Sequence, residues 1–138
     1  RVPLQKEIEY LRHFIGLHLL KDSRGLNVEA DFDESRPQLS VAPMLFIPFV
    51  ENAFKHGVSE TRHQPFVEIH LKASHKLLTF LVKNSTENAP EEGSIRENIG
   101  LSNLRRQLEL LYTDYDLSVQ QGDSVFTVTL KINLASHV

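Results

Sequence analysis

Apolar residues recur at helical spacing at Leu4, Ile8, Leu11, Phe14 or Ile15, and Leu19, which predicts a helix through Lys21, halted near Asp22-Ser23-Arg24-Gly25. Leu26 to Phe32 then alternates as a half-buried strand, and Asp33 to Pro37 reads as a turn. From Pro43 to His56 the chain returns to a helical pattern, with Pro48 implying that the regular part starts late or kinks. Phe66 to Lys72 and Leu77 to Asn84 read as two strands of a hairpin closed by Ala73-Ser74-His75-Lys76. Residues 85–98 are polar and aperiodic, and a loop of that length inside a compact domain points to function. A periodic helix follows from Ile99 to about Tyr112, then strands at Leu117 to Gln121 and Val125 to Asn133, separated by Gly122-Asp123-Ser124. The order αβαββαββ predicts an α+β fold, a two-layer sandwich with about three helices on one face of a mixed sheet. No repeat, low-complexity tract or boundary interrupts it, so residues 1–138 read as one domain.

One helix carries more than packing. At about 100° per residue, Glu51, Asn52, Lys55 and His56 share one arc, while Phe46, Ile47, Val50, Ala53 and Phe54 fill the opposite one. Gly57 fits a left-handed helix end. An amide beside a carboxylate suits a hard cation such as Mg²⁺, which takes a few oxygen ligands and completes its shell with water and phosphate. The plainer alternative is a solvated face with an i,i+4 pair between Glu51 and Lys55. Downstream, Glu97-Asn98-Ile99-Gly100-Leu101-Ser102-Asn103-Leu104 turns a polar loop into the start of the last helix.

Taken together, these two motifs resemble the catalytic ATP-binding domain of sensor histidine kinases, specifically the LytS-type group of the gyrase, histidine-kinase and MutL ATPase superfamily, and the resemblance covers nearly the whole chain. The run from Pro43 to Gly57 matches the family's asparagine box without a gap. The resemblance implies a Bergerat-type ATP-binding fold with ATP and Mg²⁺ as cofactors. It implies catalytic roles for Glu51, Asn52, Lys55 and His56: Asn52 as Mg²⁺ ligand, Glu51 orienting or deprotonating the attacking group, Lys55 and His56 neutralising phosphate charge. Nucleotide contacts are implied for Asn84, Asn98, Gly100, Leu101, Asn103 and Ser124, with Gly100 at a helix N-terminus suited to phosphate; Ile99, Leu101 and Leu104 also read as core. The chain departs from the family pattern in three places. Asn84 stands where the superfamily has an aspartate that accepts from the adenine amino group, and an asparagine carbonyl can accept the same bond. Asn98 replaces the first glycine of Gly-Ile-Gly-Leu. Asp123-Ser124 replaces the late Gly-Thr, leaving Ser124 as the hydroxyl beside the base.

The implied activity is that of an ATP-dependent protein histidine kinase, handing the γ-phosphate to a histidine outside this segment. The Asn-Pro-His-Phe-like acceptor motif is not in this chain, and residues 1–21 are expected to lead in from upstream dimerisation helices that carry it. The expected partners are those helices, a response regulator, and a second copy in a membrane-anchored homodimer whose ATP-binding part is cytoplasmic. Composition narrows the alternatives. A net charge of −3 without a basic stripe argues against nucleic acid as partner. No cysteine is present, so disulfide and thiol chemistry are excluded, and no apolar run approaches the length of a bilayer span. Seven histidines lack zinc-ligand spacing, and no Gly-x-Ser-x-Gly elbow supports a hydrolase. Two further readings share the fold: a degenerate module acting as a signalling or dimerisation scaffold, and a serine kinase of the anti-sigma type.

Overall fold

A computed structural model of the chain describes residues 1–21, 25–57, 64–86 and 99–138, with the backbone alone at 56, 99 and 100. The expected hairpin is the centre of the fold. β4 (Phe66–Ser74) and β5 (Leu77–Ser85) pair antiparallel across a two-residue turn in which His75 takes a positive φ of 56°. Strict alternation aims Val67, Ile69 and Leu71 of β4, and Leu78, Phe80 and Val82 of β5, at one buried face. β2 (Asn27–Phe32) adds parallel to β4 on one side. β7 (Val125–Asn133) and β6 (Tyr115–Gln121) extend β5 antiparallel on the other, giving the order β2-β4-β5-β7-β6. The sheet is mixed, as its sequence order predicts.

Its apolar face is covered by α1 (Leu4–Lys21), α2 (Ile47–His56) and α3 (Ile99–Leu111). Each helix lays its expected stripe on the core: Leu4, Ile8, Leu11 and Ile15 from α1; Ile47, Val50, Ala53 and Phe54 from α2; Leu101, Leu104 and Leu108 from α3. Leu19, counted in the α1 stripe by spacing, is instead 43% exposed. α2 is joined to α1 by aromatic contact, with Phe54 stacked on His18 at 4.4 Å and edge-on to Phe14 at 5.7 Å. That contact gives His18 a packing role.

Pro48 falls in the first turn of α2, where its missing N–H would have no intrahelical partner. The helix therefore starts at Ile47 rather than Pro43, and Met44, with φ of 59°, lies in the turn that precedes it. Two short strands were not legible in the sequence: β1 (Val2–Pro3) pairs with β3 (Ser40–Val41). This pairing brings the loop at 37–39 over the start of α1, where the carbonyls of Pro37 and Leu39 accept from the N–H groups of Gln5 and Leu4. Two of the donors at that helix end are thus satisfied by backbone carbonyls.

Candidate functional site

The alternation that buries Phe80 and Val82 also places Asn84 on the helix-facing side of β5, two residues further on. It is 3% exposed, between Val67 of β4 and Phe126 of β7. A buried amide costs about 1–3 kcal/mol if its donors and acceptor go unpaired. Here Nδ2 donates to the Ser85 carbonyl at 2.9 Å. Because that carbonyl can only accept, the chemistry decides which way the amide lies: NH₂ toward Ser85, with Oδ1 on the other side as the remaining acceptor.

Ser85 is anchored in turn. Its Oγ accepts from the Phe66 N–H at 3.0 Å, and Thr86 donates its N–H to the Ser124 carbonyl at 2.9 Å. Ser124, exposed just ahead of β7, is therefore brought beside the strand end that carries Asn84. The approach of Ser124 to this strand end is a property of the β5–β7 register rather than of either loop.

α2 meets this strand end from above. Gly57 follows its last residue with φ −101° and ψ −69°, a right-handed conformation, and donates its N–H to Ala53 O at 3.0 Å. The left-handed end expected from the sequence is not formed. Glycine serves a different need: a Cβ at 57 would fall on the Asn84 amide, and would also sit 2.6 Å from Ala53 O. Space, not backbone conformation, is what the missing side chain provides.

Along α2 the two arcs separate as expected. Phe46, Ile47, Val50, Ala53 and Phe54 are buried, Glu51 and Lys55 are exposed, and Asn52 is partly buried. α2 packs on both β5 and α3. On α3, Leu101 is fully buried and belongs to the core, whereas Asn103 is exposed. Arg105 reaches back to the sheet, where its Nη1 donates to the Leu117 carbonyl on β6 at 3.1 Å. The His56 side chain, Asn98, the Gly100 position beyond its helical backbone, and the loop from 87 to 98 lie outside the described residues.

The residues suit a magnesium-bound purine nucleotide. A buried acceptor with its donor half already engaged fits a base amino group, the glycine beside it leaves room for the donor end of that amide, and an amide and a carboxylate on one helix arc are hard-cation oxygens.

No protein-family profile matches the chain, and no curated protein matches it. Solved structures do. The histidine kinase domain of the Erythrobacter litoralis EL346 blue-light activated histidine kinase superposes with a TM-score of 0.72 at 20% identity, over 96% of this chain and 66% of that one. Acinetobacter baumannii histidine kinase AdeS gives 0.68 at 14% identity, over 96% and 66%. The nucleotide-free catalytic domain of histidine kinase ThkA gives 0.66 at 16% identity, over 95% and 93%. The chain spans a little under two thirds of the first two of these structures and nearly all of the third. The α+β architecture described above is therefore the fold of histidine kinase catalytic domains.

Proposed function

We propose that this chain is the ATP-binding catalytic domain of a sensor histidine kinase of the LytS type, acting on a histidine in another segment, from which a response-regulator aspartate takes the phosphoryl group. The observation that carries the reading is Asn84. It is a buried amide at the end of a core strand, oriented by Ser85 with its oxygen left as an acceptor, and in the sequence it stands where the resemblance puts the superfamily's adenine-binding aspartate.

When bound, ATP supplies the phosphoryl group and Mg²⁺ offsets its charge. Asn52 would hold Mg²⁺ through its amide oxygen. Glu51 would orient the attacking imidazole of the acceptor histidine or hold its proton, and Lys55 and His56 would stabilise charge on the phosphates. Gly100, in the first turn of α3, would let backbone N–H groups approach those phosphates. Asn98, Asn103 and Ser124 complete the proposed nucleotide contacts, with Leu101, whose side chain is in the core, contributing only through its backbone. The upstream dimerisation helices, a homodimeric and membrane-anchored whole protein, and a cytoplasmic position for this part belong to the same proposal. No described helix is long and apolar enough to cross a membrane.

Calorimetric titration with ATP and a non-hydrolysable analogue, with and without Mg²⁺, tests the reading. Magnesium-dependent binding is expected, and Asn52→Ala should weaken it by at least about tenfold, since even residues one shell removed from a metal matter that much. Asn84→Leu should cost about 1–3 kcal/mol of ATP affinity by leaving the base amino group unpaired. A folded protein that takes up no nucleotide would instead favour the degenerate scaffold.

A further inference from the structure

We infer that Gly57 is a positioning residue for base selectivity: its missing side chain lets the Asn84 amide lie in the one orientation that accepts from an amino group and refuses a carbonyl. The inference rests on the reading of Asn84 as the base acceptor and extends it to a residue on a different element. Three observations combine. Asn84 is nearly inaccessible, so its amide cannot choose its neighbours freely. Nδ2 is held by the Ser85 carbonyl, which has no proton to give and so rejects the flipped amide. Any Cβ at 57 would occupy the space of both Nδ2 and Cγ of Asn84, and would also crowd the Ala53 carbonyl.

The backbone at Gly57 is right-handed, so a positive φ gives no reason for glycine there. Close approach does, by the Ala53 carbonyl and by the Asn84 amide, and only the second bears on the base. With the amide seated, Oδ1 faces the base as an acceptor. The 6-amino group of adenine satisfies it, whereas the 6-carbonyl of guanine sets oxygen against oxygen. A side chain at 57 would push the amide off the Ser85 carbonyl, free it to rotate, and let its NH₂ serve guanine as readily as its oxygen serves adenine. Gly57 never touches the nucleotide in this scheme; it acts through Asn84.

The experiment titrates the chain with ATP, GTP and inorganic tripolyphosphate in Mg²⁺, as wild type, Gly57→Ala, Asn84→Ala and the double variant, each checked for fold by circular dichroism. Gly57→Ala is expected to reduce the ATP-over-GTP ratio by about tenfold, the size of one net hydrogen bond, while tripolyphosphate affinity stays within about twofold. In the Asn84→Ala background, adding Gly57→Ala should leave the ratio unchanged, because the residue through which it acts is gone. A wild-type ratio in Gly57→Ala, or an equal drop in both backgrounds, overturns the inference and leaves the ATP-binding reading standing. A wild type that binds ATP and GTP alike overturns both the role of Asn84 and this inference; one that binds tripolyphosphate alone does the same.

A second measurement covers the case in which Gly57→Ala does not fold. In the wild type, NMR should show the Asn84 side-chain NH₂ protons exchanging slowly with solvent, as expected for an amide held by Ser85, and shifting with ATP but not with tripolyphosphate. Exchange as fast as that of the exposed Asn103 overturns the inference.

Discussion

Two buried polar side chains tie the helical layer to the loops that shape it. Glu7 faces inward from α1 at 5% exposure, and its Oε1 accepts from the Leu45 N–H at 3.0 Å, just ahead of α2. Glu7→Ala would leave that N–H without its partner and should lower the unfolding free energy by about 1–3 kcal/mol. Glu7→Gln keeps an acceptor and should recover most of the loss. Urea denaturation of the pair checks this, and equal losses would mean that the Leu45 bond is not what holds Glu7. Tyr112 is the counterpart just past the end of α3. Its buried hydroxyl accepts from Ala42 N–H at 3.1 Å, and burial pushes the phenol above its ordinary pKa. The fold therefore favours the neutral phenol. Its contribution is complete below the ordinary tyrosine pKa and declines as pH rises from there through the raised value. Tyr112→Phe should flatten that alkaline limb of the stability curve and cost about 1 kcal/mol at neutral pH. The helical period foretold the burial of neither polar group, because Glu7 interrupts an apolar stripe and Tyr112 sits one residue beyond its helix.

Among the elements, the turn after β2 has the clearest electrostatic signature. Asp33 accepts from the hydroxyl and N–H of Ser35 through Oδ1, at 2.6 and 3.0 Å, and from the N–H of Ala73 through Oδ2, at 3.1 Å. The Ser35 hydroxyl bond, followed by the two backbone bonds, holds the carboxyl below its ordinary pKa. Stability from these bonds is present above the unfolded-state pKa and is lost as pH falls through the lower folded value. Asp33→Asn should therefore remove part of the acid-limb slope in a stability profile recorded from about pH 2 to 6. An unchanged slope would show that the turn stands without the charge. The turn itself was legible, since Asp33 to Pro37 carries turn residues between two apolar runs. Its second attachment was not: Ala73 is at the far end of β4 and comes within reach only because β2 pairs parallel with β4.

The whole molecule depends on one apolar layer between the sheet and its helices, and Phe80 lies in the middle of it, on the central strand. Its ring is 4.7 Å from that of Phe46 and 6.2 Å from that of Phe49, and it is 1% exposed. Phe80→Ala should cost about 3–5 kcal/mol. Leu77→Ala on the same strand, where the side chain is 59% exposed, should stay within about 0.5 kcal/mol; chemical denaturation of both variants separates burial from strand propensity. By itself the sequence determined the three helices and the five strands of the main sheet, though not β1 and β3, together with the split arcs of α2 and the stretch over which the asparagine-box motif runs, because periodicity and motif spacing are local and follow from the backbone repeat. Only the tertiary structure decided that Asn84 faces the core with its amide held by Ser85, that Gly57 is there for space rather than for a left-handed turn, and that Ser124 adjoins Thr86. The last two join residues far apart along the chain, and the first needs the neighbouring strands and helices that bury Asn84. They depend on strand order and on how closely α2 approaches β5, and both are set by burying the shared apolar surface, which no local pattern specifies.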